Sequence, residues 1–195
     1  MKVTTLSIQN LHTHGPLFAD LLRARHRTFI EQAKWDLPAA DGMEFDQYDT
    51  PASRWVAVHD YGRILAGIRL TPTTHRCGMY SYMIRDAQRG LLDTIPSNLL
   101  YEDAPVARHV WELSRGFVSD EVPAAMRVRV QVQIIAEMVR SAREIGATSV
   151  LGLVPLNLPR WARRVGLECE QAGPVLDIDG ASNVCMNISM VAKMH

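Results

Sequence analysis

The sequence predicts an α/β or α+β domain in which helices pack against one sheet. Short apolar runs with strand character alternate along the chain with segments of helical spacing. The length of 195 residues suits one domain, and a hydrophobic content of 47% supplies enough apolar side chains for a core. We therefore expect residues 1–195 to fold as a single domain.

The first predicted elements are a strand at residues 3–8 and a helix at residues 16–34. Leu17, Leu21 and Leu22 fall on one stripe of that helix, and a proline suits its first turn. Charge, proline and glycine in residues 32–50 then predict a long loop, a class of segment that is often functional.

Two strand-like runs follow the loop, at residues 54–59 and 64–70. They flank Asp60-Tyr61-Gly62-Arg63, which is a hairpin signal. Residues 71–107 predict an irregular segment with a short helix near residues 84–92. After this segment, the sequence again predicts strands and helices.

The second half of the chain predicts one long helix among strands. Residues 122–145 fit both a strand and a helix period, but their length, with Pro123 before and Gly146 after, favours a helix. Further predicted elements are a strand at 149–154, a helix at 158–165, and strands at 175–178 and 184–191.

The strand-like run from His109 to Arg115 contains charged residues among apolar ones. A buried charge costs desolvation free energy unless it is paired or functional. Strict alternation places Glu112 and Ser114 on one face and Arg115 on the other. If Glu112 and Arg115 serve one pocket, the strand must contain a bulge, a feature common beside active sites.

Composition excludes several classes of function. The 21 basic and 21 acidic residues give zero net charge, which argues against a general nucleic-acid binder. Three widely spaced cysteines fit neither a disulfide framework nor a zinc site, and the seven histidines show no metal-ligand spacing. Because we find no signal peptide and no apolar run long enough to span a membrane, we expect a soluble cytoplasmic protein. From the spacing of the cysteines and histidines we expect that it holds no metal.

Several charged and aromatic residues admit two interpretations. Arg25, four residues before Phe29, either acts in a site or packs its stem and extends its charge to water. Phe29 and Trp35 are either core or site residues, and Asp46 and Asp49 are either turn or site residues.

Arg69 lies in an apolar strand, so its burial requires a carboxylate partner. Asp46, Asp49 and Glu112 are the candidates. A purely structural ion-pair network is the alternative to a functional role.

These positions resemble the acyl-homoserine-lactone synthases, the autoinducer synthases of bacterial quorum sensing. The matching residues are Arg25, Phe29, Trp35, Asp46, Asp49, Arg69 and Trp111-Glu112-Leu113-Ser114-Arg115. The resemblance continues more loosely to Ala162–Leu167. It implies a GNAT-like three-layer sandwich: a twisted mixed sheet with helices on both sides and a splayed strand pair that admits an acyl-pantetheine arm.

The resemblance also implies a reaction. The α-amine of S-adenosylmethionine attacks a thioester on acyl carrier protein or coenzyme A. The methionyl carboxylate then closes the lactone, and methylthioadenosine leaves. S-adenosylmethionine is a substrate in this scheme, and no cofactor is expected.

The residue types suit that chemistry. Aromatic faces and carboxylates hold a sulfonium cation, and a guanidinium holds a carboxylate. Glu112 is the candidate base for the amine, and main-chain N–H groups of a bulge are candidate oxyanion donors. The expected S-adenosylmethionine-binding residues are Arg25, Phe29, Trp35, Asp46 and Phe117. The expected catalytic residues are Glu112, Arg115, Asp46, Asp49 and Arg69.

The expected acyl pocket contains Met83, Trp111, Leu153 and Val154. Members that make 3-oxo products commonly carry Thr in this last strand, whereas Gly152-Leu153-Val154-Pro155 has no hydroxyl. We therefore expect an unsubstituted, unsaturated, branched or aryl acyl group. The chain also departs from the family at Gln88, where Phe is frequent, and at Gly116, which separates Phe117 from the Ser-Arg pair.

A basic cluster predicts the docking site of the donor, either acidic acyl carrier protein or the phosphates of coenzyme A. Its members are Arg160, Arg163 and Arg164. A solvated helix face is the alternative. Carrier protein is the first expectation, since no glycine-rich pyrophosphate loop precedes the helix.

Two other functions are compatible with the sequence. One is a GNAT-type N-acyltransferase acting on another amine, which would release no methylthioadenosine. The other is a non-catalytic protein that binds S-adenosylmethionine or an acyl ligand.

Overall fold

The computed structural model describes residues 1–191, apart from the side chains of Pro159, Trp161 and Arg164. The strands are β1 Lys2–Leu6, β2 Ala39–Ala40, β3 Met43–Glu44, β4 Arg54–Asp60, β5 Arg63–Pro72, β6 Val110–Val118, β7 Ser149–Pro155, β8 Cys169–Ile178 and β9 Ala181–Ser189. The α-helices are α1 Leu17–Arg25, α2 Met83–Gln88, α3 Ala124–Glu144 and α4 Leu158–Arg164. Within these residues, the long strands form a seven-stranded sheet in the order β1-β4-β5-β6-β7-β9-β8, which confirms the predicted α/β class.

The chain divides into two compact units. The first contains Met1–Leu70 and Arg115–Ser141, and the second contains Thr71–Ser114 and the chain from Ala142 onward. Strands β5 and β6 and helix α3 therefore each contribute residues to both units. The expectation of one domain stays a prediction.

In the first unit, β1, β4 and β5 pair antiparallel. The turn between β4 and β5 has φ of 45° at Tyr61 and 83° at Gly62. Positive φ at both central residues is typical of the two-residue turns that match the twist of a hairpin. The predicted hairpin is confirmed.

Helix α1 packs its leucine stripe into the core of the first unit. The buried members of this core are Leu6, Leu17, Leu21, Ala24, Phe29, Trp55, Ala57, Ile64 and Phe117. Gly67 of β5 leaves room for two of them, because a Cβ atom there would lie 2.6 Å from Leu21 Cδ1 and 2.7 Å from Phe117 Cε1. The glycine thus permits close packing of α1 and Phe117 over the strand.

The helix predicted for residues 16–34 is present, but its second half is not α-helical. From His26 to Gln32 the chain is a π-helix, and Ala33 N–H bonds to the Thr28 carbonyl at 3.1 Å. Such segments are rare and occur frequently at functional sites. The loop after it contains only the short ladder of β2 with β3, as the composition predicted.

The predicted long helix is confirmed as α3. Val130, Ile134 and Met138 recur every four residues and are buried, whereas Val128 and Val132 are 63% and 42% exposed. Helical spacing therefore decides burial here, and the strand-like alternation of valines does not. Thr5 of β1 binds this helix through Glu137 Oε1 at 2.8 Å.

In the second unit, β6 pairs parallel with β7, and β7, β9 and β8 pair antiparallel. Strand β8 starts earlier than predicted, and its pairing with β9 shifts register between Gln171 and Val175. Helices α2 and α4 lie close to their predicted positions. Among the described residues, no helix combines the length and the apolar character required to cross a membrane.

Strand β6 is irregular where the sequence predicted a break. Its pairing with β7 runs from Val110 to Leu113, and Arg115 has a φ of 52°. This left-handed conformation is uncommon for a residue other than glycine and often marks a functional position. The predicted irregularity of the strand is therefore confirmed at Arg115.

Candidate active site

Six charged side chains meet in the first unit and alternate in sign around a closed network. Each of three guanidiniums contacts two carboxylates, and each carboxylate contacts two guanidiniums. The order around the network is Arg25, Glu44, Arg115, Asp46, Arg69, Asp49 and back to Arg25. Because the charges cancel, the cluster can be buried without an unpaired ion.

Arg25, the last residue of α1, binds two carboxylates. Its Nε lies 2.5 Å from Glu44 Oε2, and its two Nη atoms lie 2.8 Å from the two oxygens of Asp49. The side chain is 1% exposed, so it does not extend to water as one interpretation of the sequence suggested. The paired Asp49 contacts have the bidentate geometry that holds a carboxylate most firmly.

Arg69 of β5 contacts the two aspartates of the network. Its Nη1 lies 2.5 Å from Asp46 Oδ1 and 3.0 Å from Asp49 Oδ2. Two of the three carboxylates proposed from the sequence as partners of Arg69 are therefore confirmed.

Arg115 closes the network. Its Nε lies 3.1 Å from Glu44 Oε1, and its Nη2 lies 2.8 Å from Asp46 Oδ2. Arg115 therefore combines a left-handed backbone conformation with a guanidinium that contacts both Glu44 and Asp46. The irregularity of β6 thus accompanies a residue that completes a buried charge network.

Asp46 and Asp49 are turn residues as well as network members. Asp46 Oδ1 accepts a bond from Tyr48 N–H at 2.9 Å, and Asp49 Oδ2 accepts one from Asp46 N–H at 3.0 Å. The indole N–H of Trp55 donates to Asp49 Oδ1 at 2.8 Å. The two interpretations of these residues are therefore compatible, since the turn orients both carboxylates toward the arginines.

The network shifts the pKa of its members. Burial favours the neutral form of Asp49, but Arg69 and Arg25 outweigh it and hold the pKa of Asp49 well below its ordinary value. The pKa of Asp46 is lowered in the same way, against its burial, by Arg69 and Arg115. Both carboxylates are therefore charged at neutral pH.

An aromatic pair lies beside the network. The Phe29 and Trp35 rings are stacked, with centroids 5.1 Å apart and planes 10° apart, and Phe117 meets Phe29 edge-on at 5.8 Å. The Arg115 guanidinium lies 5.7 Å from the Phe29 centroid. Phe29 is buried, but Trp35 is 42% exposed, so the interpretation of Trp35 as a core residue is wrong. The Trp35 indole is thus stacked on a buried ring beside a charged cluster and is partly exposed to solvent.

Glu112 lies in the second unit and is fully buried. Its carboxylate accepts bonds from the first N–H groups of α2, Met83 N at 3.3 Å and Ile84 N at 2.7 Å. Free N–H groups and the helix dipole both favour a negative charge at this position. Glu112 therefore fixes the start of α2 as well as placing a carboxylate inside the unit.

The charge of Glu112 affects two buried neighbours. Burial, together with the smaller effect of the Glu112 charge, raises the pKa of the Cys185 thiol to about 12. Burial and Glu112 also raise the pKa of Tyr82, whose hydroxyl donates to the Pro105 carbonyl at 2.6 Å. Cys185 and Tyr82 are consequently neutral at physiological pH.

The predicted acyl-pocket residues also lie in the second unit. Met83, Trp111 and Val154 are buried, and Leu153 is half-buried and pairs with Cys185 across β7 and β9. A cleft of about 430 Å³ in this unit is lined by a different set, which includes Val110, Leu151 and Asn187. The four predicted pocket residues are therefore mostly buried, whereas the open cleft of the same unit is lined by other residues.

A family model for autoinducer synthases matches residues 9–186. This range includes all six members of the charge network, the aromatic pair and Glu112.

The chain belongs to the autoinducer synthase family.

The acyl-homoserine-lactone synthase of Ralstonia nicotianae is 34% identical to this synthase-family chain over 180 residues, which cover 90% of this chain and 83% of that protein. The crystal structure of TofI in a ternary complex with an inhibitor and MTA has 30% identity and a TM-score of 0.77, covering 97% and 92% of the two chains. A putative N-acetyltransferase from Lactobacillus plantarum, at 16% identity, shares the fold with a TM-score of 0.57 over 98% of this chain and 100% of its own. The predicted GNAT-like fold is confirmed, and this family consists of acyltransferases.

Two of the basic docking candidates of this autoinducer synthase are visible in the second unit. Arg160 and Arg163 of α4 are exposed and line a cavity of about 280 Å³ with Leu156, Gln171, Val184 and Met186. Among the described residues neither arginine forms an ion pair. The third candidate, Arg164, has a side chain outside the described part of the structure.

The family departure at Gln88 has a structural role in this synthase. The Gln88 side chain donates to the Glu102 carbonyl at 2.8 Å and accepts from Ala104 N–H at 2.7 Å. An amide can make both bonds at once, whereas a phenyl ring can make neither. Gln88 therefore attaches the loop at residues 102–104 to α2.

Glu44, which joins Arg25 to Arg115, was not predicted from the sequence. A signal for it was available, because Glu44 precedes Asp46 by only two positions in the predicted loop, and residues two apart share a face wherever the chain is extended. Trp55, which donates to Asp49, was also missed. An indole N–H in a buried strand requires an acceptor, and that requirement points to a nearby carboxylate.

Proposed function

We propose that this autoinducer synthase makes an N-acyl-L-homoserine lactone from S-adenosylmethionine and an acyl thioester and releases methylthioadenosine. The observation that carries the proposal is the half-exposed Trp35 ring, stacked on Phe29 beside the charge network. The face of an indole attracts a sulfonium cation. TofI, which resembles this chain, binds MTA.

We assign to the charged residues the role of holding the aromatic pair in position. Arg115 contacts Asp46 and lies over the Phe29 ring, so the network restrains the surface on which the cation would bind. Since each guanidinium already has two carboxylates, we assign Arg25, Arg69, Asp46 and Asp49 to orientation of the site. Phe117 supports Phe29 edge-on.

The chemistry consists of two displacements. The amine nitrogen forms a bond to the acyl carbon, the thioester C–S bond breaks, and the amine proton passes to a base. The methionyl carboxylate oxygen then bonds to Cγ, the sulfonium C–S bond breaks, and methylthioadenosine leaves. We assign Glu112 as the base because the N–H groups of α2 hold its carboxylate in place, and its two oxygens have further lone pairs that can accept the amine proton.

Acyl carrier protein is the donor that we propose over coenzyme A. Exposed Arg160 and Arg163 provide positive charge for an acidic partner. With this donor we propose a cytoplasmic location for the reaction. The scheme uses S-adenosylmethionine as a substrate and requires no cofactor.

A product assay tests the proposed reaction. The purified chain is mixed with S-adenosylmethionine and a panel of acyl thioesters on both carrier protein and coenzyme A, and products are identified by mass spectrometry. We expect an acyl-homoserine lactone and an equal amount of methylthioadenosine. Acylation of another amine without methylthioadenosine would instead identify a GNAT-type acyltransferase, and saturable binding without turnover would identify a binding protein.

The role of Glu112 is tested in the same assay with Glu112→Gln. Loss of a general base should lower kcat at least about 100-fold with little change in KM. Glu121→Gln changes an exposed glutamate and serves as the control, with circular dichroism to check folding. A folded Glu112→Gln variant with a near-normal rate would remove Glu112 as the base.

A further inference from the structure

Helix α3 has a second apolar stripe on the side away from its packed face. The packed side contains the buried residues Val130, Ile134 and Met138. The outer stripe consists of Ala125, Val128, Val132, Ala136 and Val139, of which Val139 is half-buried and the others are exposed. Steps of three and four residues keep the stripe on one side of the helix. We propose that a second copy of this chain covers the outer stripe, with the two α3 helices antiparallel about a two-fold axis at Val132.

Exposed valines are unusual in the middle of a helix that faces only water. Val128 and Val132 are 63% and 42% exposed. Valine forms helices less well than lysine or glutamate, because its branched side chain loses rotamer freedom in a helix. The two valines therefore contribute little to the stability of a solvated α3. A contiguous exposed apolar patch often marks a surface that binds a partner.

The residues of the outer stripe are arranged symmetrically about Val132. Position 125 is as far from Val132 as position 139, and position 128 is as far as position 136. In a two-fold antiparallel contact these positions meet in pairs, while Val132 meets its own counterpart. Each pair combines one alanine with one valine, Ala125 with Val139 and Ala136 with Val128. Small residues opposite larger ones allow the two helices to approach closely and interdigitate.

Charge at the two ends of α3 also favours the antiparallel arrangement. Glu121 is exposed just before the helix begins, and Arg143 is exposed in its last turn. Both are equally far from Val132 in the sequence, so a carboxylate of one copy would face a guanidinium of the other at each end of the contact. The neighbouring Glu144 is turned about 100° away from Arg143 around the helix. A parallel pair of helices would instead place like charges together.

Both end charges remain available for a partner. Glu121 meets Arg63 in an ion pair at 3.3 Å whose side chains are about half exposed, and such surface pairs contribute little free energy. Arg143 Nε donates to the Met190 carbonyl at 2.6 Å, which leaves other N–H groups of the same guanidinium to donate. An ion pair with a second copy would therefore cost each chain little.

The oligomeric state in solution is the first test. One pair of helices forms a small contact, and small interfaces are typical of weak or transient association. We expect sedimentation velocity of the purified chain to show monomer at about 1 μM and mainly dimer at about 300 μM, as for a dissociation constant in the micromolar range. Val132→Glu places two like charges at the axis and should weaken association at least about tenfold. Circular dichroism checks that the variant is folded.

Engineered cysteines test the position of the axis. All variants carry Cys77→Ser, which removes an exposed native thiol. Val132→Cys should form an intermolecular disulfide on mild oxidation, because residue 132 meets its own counterpart. Val128→Cys is the matched control, since position 128 is more exposed but its counterpart would lie about 12 Å away along the helix axis, too far for a disulfide. Non-reducing electrophoresis should show at least about fivefold more crosslinked dimer for Val132→Cys.

The end charges are tested by mixing two variants. Glu121→Arg and Arg143→Glu should each weaken association about threefold to tenfold, because like charges then meet at both ends. An equimolar mixture of the two variants should restore association, since each supplies the charge that the other lacks.

A chain that stays monomeric up to about 300 μM would overturn the inference. So would a dimer that survives in folded Val132→Glu, or equal crosslinking of the two cysteine variants. A monomer that sediments with phosphatidylglycerol vesicles, and loses this binding in Val132→Glu, would identify the stripe as a membrane-binding face instead. Crosslinking that favours Val132→Cys, together with association restored by mixing, would support the two-fold contact.

Discussion

Glu44 illustrates at the scale of single residues how a buried charge is tolerated. It is fully buried, and its two oxygens accept from Arg25 at 2.5 Å and Arg115 at 3.1 Å. Removing one partner of a buried ion pair is far more costly than the pair is worth, because the remaining charge stays buried and underpaired. Glu44 therefore supports two arginines at once.

Replacing Glu44 tests this dependence. We expect Glu44→Gln to lower the free energy of unfolding by about 3 kcal/mol, because two buried guanidiniums lose a counter-charge. Urea unfolding measures the loss. Glu31→Gln, which removes a largely exposed partner of His26, is the control and should change stability little. Equal stabilities of the two variants would contradict the account of the network.

The lowered pKa of Asp49 predicts how stability depends on pH. Its folded pKa lies below the unfolded value of about 3.9, so the folded state binds fewer protons than the unfolded state in that range. The stabilisation is complete above about pH 5 and is lost as pH falls below about 4, toward the folded pKa. Urea unfolding from pH 7 to pH 3 should show that the difference in the free energy of unfolding between the unaltered chain and Asp49→Asn becomes smaller as the pH falls. A difference that stays constant over this range would contradict the prediction.

At the scale of elements, Gly173 decides how β8 meets the loop at residues 99–105. The register of β8 with β9 shifts between Gln171 and Val175, and Gly173 lies in this irregular stretch against the Leu99 carbonyl. Backbone atoms move less readily than side-chain ends, so added volume here displaces the loop itself. The position requires glycine for space.

A pair of glycine substitutions tests this close approach. Gly173→Ala should lower stability by about 1–3 kcal/mol, the cost of overpacking a fixed backbone. In Gly152→Ala the new Cβ would be 3.5 Å from its nearest neighbours, an ordinary contact, so the change should be small. Thermal unfolding compares the two variants. A tolerated Gly173→Ala would mean that the loop moves freely.

At the scale of the whole molecule, zero net charge makes local basic clusters important for recognition. Arg160 and Arg163 are exposed on α4 without ion-pair partners among the described residues. An acidic carrier protein would be attracted by such a cluster, and salt would screen the attraction. Charge reversal should therefore affect binding of the donor and leave the chemical steps unchanged.

The double variant Arg160→Glu, Arg163→Glu should raise KM for carrier-bound donor about tenfold and leave kcat nearly constant. The effect should shrink as ionic strength rises. Arg76→Glu, an exposed reversal elsewhere, controls for overall charge. Steady-state kinetics at two salt concentrations make the comparison. An unchanged KM for the double variant would exclude docking at α4.

Much of this architecture follows from local sequence patterns. Hairpin chemistry at Tyr61-Gly62 and the apolar stripe of α3 both predicted the observed elements, because turns and periodicity depend on near neighbours. The spaced charged and aromatic residues predicted the family. The π-helix and the early start of β8 were not predictable, since no local propensity distinguishes them.

The order of the main elements, the family and most charged residues of the site could be predicted from the sequence. The folded structure was needed to show that three arginines and three carboxylates close into one alternating network, that Glu44 completes it, and that Glu112 binds the start of α2. These contacts join residues that are far apart in the chain. Arg115 and Glu44 are 71 positions apart in the chain, and their attraction depends on distance in space, which a local pattern of residues does not encode.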